Sequence, residues 1–249
     1  MRAKPRASLA LQCAPNELLA LLNRAIEARH RNSLDFDALA GNVVELEFLG
    51  FSGVRFLLEA LQDDRVYEPH PGLRLHCAGG VWTAPSAGVS LLLHALVLID
   101  QALWLANQHG ALRFRFCGAS HAPALAAEFV RAQQESWAME LRWPDPGGGG
   151  QWLMKAGARG AEPGLWLAEA SEDGDGDVLF TLTEAGHSSA TSVPGGFKIL
   201  RGPAEFASSR QASLAGGLSI AESEWEELMR LGEGVLVESS EASRRGAGE

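Results

Sequence analysis

The segment SAGVSLLLHALVLIDQALWLANQH, residues 86–109, is the most apolar long stretch of the sequence. Its apolar residues recur every three and four positions, which is typical of one face of a helix. Pro85 and Ser86 form a helix start signal before the stretch, and His109 with Gly110 forms a stop signal after it. The pattern therefore predicts a single helix over these residues.

Both sides of this predicted helix are apolar, which indicates burial in a protein core or in a bilayer. His94, Asp100 and Gln101 interrupt the apolar run, whereas a membrane span needs roughly 20 residues with few or no charges. We therefore predict a core helix that is covered on both sides. His94 is interpreted as a hydrogen-bonded core histidine, with a place in a pocket as the alternative.

Segments of alternating apolar and polar residues surround the central helix and predict strands. The alternation is clearest in ALRFRFCG (111–118) and recurs in GLRLHC (72–77) and AMELRW (138–143). Helical patterns separate these segments. We therefore predict an α/β fold: an N-terminal helix, then βαβ units on a largely parallel sheet around the central helix 86–109.

The segment NVVELEFLG (42–50) fits two structures. Val44, Leu46 and Phe48 alternate with glutamates, as in a half-buried strand. Helical spacing over the same region, continued upstream to Phe36, supports a helix instead. We choose the strand, because a helical pattern begins at Ser52 and the alternating segment 72–77 comes after it, so that strand, helix, strand is the simpler account.

The run PDPGGGG contains the strongest break in the chain, at Gly147–Gly150. Four glycines without side chains predict a flexible connection, and no Gly-Lys-Ser or Gly-Lys-Thr follows to make it a phosphate loop. We predict an α/β region over 1–146, a connection at 147–150 and a β-rich region over 151–249 that ends in a helix and tail. A single domain is the alternative.

Composition limits the partners of this 249-residue chain, whose formal charge is −10. An acidic protein lacks the basic face that phosphates require, which excludes nucleic acid and an anionic membrane surface as partners. Three scattered cysteines predict free thiols, and no secretory signal is recognisable, so we expect a cytoplasmic protein. The abundance of Ala, Gly and Arg suggests a bacterial source.

Histidine and cysteine residues lie at the ends of two predicted strands. His76 and Cys77 end one strand, whereas Cys117 and His121 follow another. In a parallel sheet these ends share the edge where ligands bind in open α/β folds. The four residues are therefore the candidate pocket, with His94 as a fifth member; the alternative is that the cysteines are small buried hydrophobes.

Two further groups of charged residues bear on function. Arg244 and Arg245 lie beside glycines and are candidates for binding an anion, although a polar tail explains them equally. Acidic residues with calcium-loop spacing lack the required glycine and lie between predicted strands, so we interpret them as a hairpin turn: Asp173, Asp175, Asp177 and Glu184. We predict no metal site.

No nucleophile elbow, dinucleotide-binding glycine triplet or kinase signature occurs in the sequence. The absence of catalytic signatures favours a cytosolic non-catalytic binding or accessory protein that acts through a partner protein or a homo-oligomer, without a cofactor. The alternative is an enzyme that acts on a small molecule at the C-terminal edge of the sheet. The sequence does not decide whether the protein is an enzyme.

Overall fold

The computed structural model describes residues 10–29, 35–62, 75–85, 88–132, 135–145, 150–157, 162–169, 176–185 and 195–233. Seven α-helices lie within these ranges: α1 Pro15–Arg29, α2 Phe36–Phe48, α3 Gly53–Gln62, α4 Ala95–His109, α5 Pro123–Arg131, α6 Pro203–Gly216 and α7 Glu222–Gly232. A short 3-10 helix, Leu91–His94, leads directly into α4.

The same ranges contain ten strands: β1 Ala10–Cys13, β2 His76–Ala78, β3 Val81–Pro85, β4 Leu112–Cys117, β5 Trp137–Pro144, β6 Gly150–Ala156, β7 Gly164–Glu169, β8 Val178–Glu184, β9 Phe197–Arg201 and β10 Leu218–Ala221. β1 pairs with β10, and the other eight form one sheet in the order β2-β3-β4-β8-β5-β6-β7-β9. Helices and sheet share one hydrophobic core.

The predicted α/β class is confirmed, but the strand directions differ from the largely parallel sheet that we expected. Among the described strands only β3 and β4 pair in parallel, and every other pairing is antiparallel. For strands that follow each other directly, such as β2 and β3, the physical reason is their short connection. A short turn such as Gly79-Gly80 can join only antiparallel neighbours, whereas a parallel pair needs a long crossover.

The large sheet contains strands from both sides of the glycine run, of which residues 147–149 lie outside the described residues and Gly150 begins β6. β5 and β6 flank the run and pair with each other, and β8, from the C-terminal half, lies between β4 and β5. Strands from both sides of the proposed boundary are therefore interleaved. The division at 147–150 into separate regions stays a prediction.

The segment 42–50 is helical, so the predicted strand is wrong there. It forms the second half of α2, whose N-cap Asp35 accepts a hydrogen bond of 3.0 Å from the backbone N–H of Ala38. Most of the helix surface is buried, including Asn42 and Glu45. Alternation is misleading in such a helix, because burial on nearly all sides removes the polar face that normally reveals the helical period.

The central helix is present as the 3-10 helix followed by α4. Its leucines are largely buried, but Val97 is 64 % exposed and Trp104 is 59 % exposed. The expected burial on both sides is therefore incomplete, because one stripe faces outward. The stretch Leu91–His109 is long and apolar enough for a membrane span, and half of it is buried inside the protein. A helix in the core of a globular protein meets the same criteria of length and apolar composition.

A half-buried carboxylate, that of Glu47, caps the start of α3. Its Oε1 accepts a hydrogen bond of 2.8 Å from the backbone N–H of Val54. The pKa of Glu47 is raised to about 7, mainly because burial disfavours the charged form; the hydrogen bonds from Val54 and Gly53 oppose this rise, and the neighbouring Glu224 adds to it. The folded protein therefore binds a proton at this site more tightly than the unfolded chain does.

This pKa predicts the effect of pH on the variant Glu47→Gln. The stability that the proton contributes is present below the usual pKa of 4.5 and is lost as the pH rises through about 7. Glutamine keeps the capping oxygen without the charge, so we expect the variant to be more stable than wild type at pH 8, by about 1–3 kcal/mol, and similar at pH 5. Thermal unfolding at both pH values measures the difference, with exposed Glu27→Gln as the control. Equal shifts at both pH values would contradict the assignment.

Candidate active site

A cavity of about 480 Å³ opens at one edge of the large sheet. β4 and β5 both run antiparallel to β8, so they point the same way and end at this edge. The lining residues come from α3 and the turn before it, from the segment between β4 and the start of α5, and from β5, β6 and β8. They are Phe51, Phe56, Glu59, Ala119, Ser120, His121, Ala122, Pro123, Trp143, Pro144, Trp152 and Val178. The position matches the strand-end edge where open α/β sheets bind ligands.

Backbone hydrogen bonds fix the loop that follows β4. The N–H of Ser120 donates to the carbonyl of Val89 at 3.0 Å, and the N–H of Leu91 donates to the carbonyl of Ser120 at 3.0 Å. His121 ends this loop with a φ of 57°, a conformation that non-glycine residues seldom adopt. The loop is therefore held in a fixed shape, with a strained histidine at its end.

His121 is the central polar residue of the cavity. Its Nδ1 lies 2.8 Å from the Ser90 hydroxyl oxygen, and its Nε2 lies 3.1 Å from Oε2 of Glu59. The ring of Phe56 stacks on the imidazole with 4.8 Å between centroids. The His121 side chain is only 10 % exposed, whereas the Glu59 side chain is 55 % exposed. The imidazole is thus held from three sides, with its acidic partner open to solvent.

These partners determine which ring nitrogen carries hydrogen. An ionised Glu59 can only accept hydrogen bonds, so Nε2 of His121 must carry the hydrogen of that contact. In the neutral imidazole Nδ1 is then an acceptor, and the Ser90 hydroxyl donates to it. Protonation makes Nδ1 a donor and reverses that bond, because a hydroxyl can both donate and accept. The arrangement accommodates both charge states of the histidine.

Aromatic rings form the opposite part of the cavity wall. Trp143 and Trp152 stack with 6.0 Å between centroids, and Phe51 meets Trp143 edge-on at 6.2 Å. The indole N–H of Trp152 donates to Asp145 at 2.9 Å, which fixes that ring. The lining is therefore largely aromatic, with few polar groups, as in most small-molecule sites.

No arginine or lysine occurs among the described residues that line the cavity. Arg55, next to Phe56 in the chain, pairs with Glu224 at 2.9 Å, and Arg142, next to Trp143, pairs with Glu140 at 2.7 Å. Within the described ranges, no three His, Cys, Asp or Glu side chains are grouped as a metal site requires. The polar chemistry of the cavity thus comes from His121, Glu59 and Ser120.

Of the candidate pocket residues, the structure places only His121 in the cavity lining. Cys117 is half-buried at the end of β4, and His94 ends the 3-10 helix. His76 and Cys77 lie on exposed β2. The hairpin reverses this strand, so Cys77 pairs with Trp82, which is level with Phe114 and not with the end of β4. The predicted parallel sheet implied that His76 and Cys77 share a sheet edge with Cys117 and His121. The structure does not bring these two pairs of residues together.

The other charged candidates have separate outcomes. Arg244 and Arg245 lie outside the described residues, as do Asp173 and Asp175. Asp177 pairs with Arg115 of β4 at 2.5 Å, which ties the start of β8 to its neighbour. The anion-binding role of the two arginines stays a prediction.

Sequence reasoning missed most of the residues around His121. Glu59 and Ser90 lie 62 and 31 positions from it in the chain, so no local spacing connects them. The tryptophans belong to strands whose pairing was not foreseen. One signal could have indicated Ser90. Ser90 follows β3 and Ser120 follows its parallel neighbour β4, and a β-bridge joins the two residues.

Comparisons with known proteins find a similar fold in solved structures. No protein-family model and no curated protein sequence matches the chain, but solved structures do. A dehydrogenase from Sinorhizobium meliloti is similar with a TM-score of 0.61 and 12 % identity, covering 90 % of this chain and 100 % of that one. Malate dehydrogenase from Pyrococcus horikoshii gives a TM-score of 0.60 and 12 % identity, covering 92 % and 97 % of the two chains.

A third similar structure is the delta1-piperideine-2-carboxylate reductase from Pseudomonas syringae, with a TM-score of 0.52 and 12 % identity over 89 % of this chain and 99 % of that one. At such identities the likeness shows a shared fold. The neighbours are dehydrogenases and reductases, so the leading prediction of a non-catalytic, protein-binding accessory protein is wrong. The alternative, a small-molecule enzyme with its site at a sheet edge, fits these findings better.

Proposed function

We propose that this protein is an enzyme that binds a small molecule in the cavity at the ends of β4 and β5 and transfers a proton through His121. The observation that carries the proposal is the hydrogen-bonded arrangement of His121 with Ser90 and Glu59 beside an aromatic cavity. Histidine is the commonest acid–base residue because its usual pKa lies near neutral pH. The likeness to dehydrogenases supports an enzymatic function.

The role of each residue follows from its contacts. His121 lines the cavity and exchanges a proton with the bound molecule at Nε2, the nitrogen on the Glu59 side. The Glu59 carboxylate balances the charge of the imidazolium, and its exposed side chain can move aside as a substrate atom approaches. Ser90 holds Nδ1 and fixes the ring orientation. Apo geometry need not show the final contact, since catalytic hydrogen bonds often tighten only with substrate bound.

The same three residue types also occur in serine hydrolases, where histidine activates a serine nucleophile. Here the serine that contacts the histidine, Ser90, is not among the described residues that line the cavity. A nucleophile must reach the substrate, so this position favours a positioning role for Ser90. Proton transfer by His121 is the simpler chemistry for this geometry.

A redox reaction is the second candidate, because the similar structures are dehydrogenases and a reductase. Hydride transfer of this kind uses a nicotinamide dinucleotide, whose diphosphate needs cations or free backbone donors. The described lining of the cavity contains no arginine or lysine. These lining residues therefore do not fit the diphosphate, and no step is assigned to that cofactor. Titration with reduced nicotinamide dinucleotide tests this candidate directly.

Three broader properties belong to the same proposal. We infer a cytoplasmic location, a small-molecule substrate and assembly into a homo-oligomer. The fold likeness supports the small-molecule substrate, and the exposed Val97 and Trp104 on α4 offer an apolar surface for a second copy. Sedimentation of the purified protein measures the assembly state.

The variant His121→Asn tests the proposed role of His121. Asparagine tolerates the positive φ and keeps a polar group, but it cannot exchange a proton near neutral pH. We expect turnover to fall by roughly 10²–10⁴-fold, the usual contribution of general acid–base catalysis. Incubation of wild type with a mixture of small metabolites, followed by mass spectrometry, identifies the compounds consumed, and the variant is then compared on them.

The matched control is His109→Asn, which changes an exposed histidine at the end of α4. It should consume the same compounds at the wild-type rate. Thermal unfolding of both variants separates loss of catalysis from loss of fold. If folded His121→Asn turns over as fast as wild type, the proposed role of His121 is wrong.

A further inference from the structure

Three neighbouring aromatic side chains belong to the lining of the cavity. Trp143 and Trp152 are nearly parallel, with 22° between their planes, whereas Phe51 meets Trp143 at 67°. The three rings therefore enclose a corner and do not form a flat wall. The negative face of an aromatic ring attracts a cation, and tryptophan does so most strongly. An angled group of rings is the arrangement in which proteins hold ammonium groups.

The fixed charge at the cavity is negative. Within the described lining, Glu59 is the only acidic or basic residue apart from His121, and its Oε2 contacts the imidazole. A carboxylate offers about four acceptor positions, so Glu59 can accept a further hydrogen bond from a ligand. The chain as a whole carries a formal charge of −10, which raises the local concentration of cations and lowers that of anions.

The start of α5 also lines the cavity, and a helix N-terminus usually favours anions. Here the donors of that terminus are occupied or missing. Pro123 has no N–H, the N–H of Ala124 donates to His121 at 3.1 Å, and the N–H of Leu125 donates to Ala122 at 3.1 Å. These amides are therefore satisfied within the turn, which removes the main anion-binding feature of this edge.

His121 adds no unbalanced positive charge. Both of its ring nitrogens have partners in the structure, and the partner of Nε2 is the Glu59 carboxylate. A protonated ring thus forms an ion pair, whereas a neutral ring leaves Glu59 as the net charge of the cavity. In neither state does the described lining provide a cation for a carboxylate or phosphate ligand.

From these charges and contacts we propose that the cavity takes a small organic cation, an amine or quaternary ammonium compound with an apolar body. The aromatic corner holds the apolar part and faces the positive charge, and Glu59 pairs with the charged group. This substrate class rests on the proposed function, because it names the molecule on which His121 acts. It differs from the acids that the names of several similar structures specify.

Three compounds with the same phenyl body test the charge preference: 2-phenylethylamine, 2-phenylethanol and 3-phenylpropionate. Their Kd values are measured on the full chain by calorimetry and by tryptophan fluorescence, to which Trp143 and Trp152 contribute among the seven tryptophans. We expect the amine to bind at least about tenfold more tightly than the alcohol, as a partly desolvated cation–π contact implies, and the propionate to bind most weakly.

The variant Glu59→Gln should reduce the preference for the amine, because it removes the ion pair and leaves the cation–π contacts, while the Kd of the alcohol changes less than about twofold. The control Glu27→Gln, at an exposed position of α1, should keep the wild-type order. Tighter binding of the propionate than of the amine, or no saturable binding of any probe, overturns the proposal. A preserved amine preference in folded His121→Asn with unchanged turnover would reject only the proposed role of His121.

Discussion

Replacing Arg210 with methionine is expected to lower the free energy of unfolding by about 3–5 kcal/mol, the usual cost of leaving a buried charge without its partner. The partner is Glu45 of α2, which is only 8 % exposed. Nη1 of Arg210 donates to Oε2 of Glu45 at 3.0 Å, Nη2 contacts Oε1, and the guanidinium lies 5.1 Å from the ring centroid of Phe48. Burial raises the pKa of Glu45, and Arg210 opposes that rise.

The double variant Glu45→Met, Arg210→Met tests whether the loss comes from the uncompensated carboxylate. Apolar replacement of a whole buried pair is often neutral or stabilising, so most of the lost stability should return. Urea unfolding at neutral pH measures each variant. Arg230→Met, which breaks the exposed pair with Glu227, should leave the stability nearly unchanged. A double variant as unstable as Arg210→Met would show that the arginine stabilises by packing alone.

This ion pair also shows which parts of the fold the sequence could not predict. Glu45 and Arg210 are 165 positions apart, and neither has an unusual local environment in the sequence. Alternating glutamates in segment 42–50 look like the outer face of a strand. Glu45 is instead a buried helix residue whose charge is compensated from α6, and a pattern that assumes exposed charges fails there.

Local sequence patterns were sufficient to predict elements whose structure depends mainly on their own residues. β4 alternates buried Leu112, Phe114 and Phe116 with more exposed arginines, as the sequence predicted. The stop signal His109-Gly110 also corresponds to the end of α4. The predicted start at Ser86 is wrong, because Pro85 ends strand β3 and the helical segment begins at Leu91. Strand direction is different, because it depends on the length of connections and on partners elsewhere in the chain.

The candidate site was only partly predictable for the same reason. His121 was found because it follows a strong strand, and strand ends at a sheet edge are where ligands bind. Glu59 arrives from a helix early in the chain, and Trp152 arrives from a strand whose neighbour was not foreseen. Sequence periodicity contains no information on which distant side chains share a cavity. The dehydrogenase-like fold became recognisable only from the arrangement of the elements in space.

The variants Leu98→Ala and Val97→Ala test the orientation of the central helix. Leu98 is 6 % exposed within the core, whereas its neighbour Val97 is 64 % exposed. Truncation of a buried leucine costs roughly 2–5 kcal/mol, through lost transfer energy and the cavity left behind. Truncation of an exposed valine loses little packing, and alanine is the better helix former by a few tenths of a kcal/mol, at about the scale of ordinary helix propensities.

We therefore expect Leu98→Ala to remove a large part of a total stability of about 5–15 kcal/mol, while Val97→Ala leaves it unchanged or slightly higher. Thermal and urea unfolding of dilute protein measure both effects. A loss in Val97→Ala that grows with protein concentration would show that this stripe is covered by a second copy, because assembly stabilises by mass action. Equal losses at every concentration would contradict the exposed position of Val97 and restore the interpretation of a helix covered on both sides within one chain.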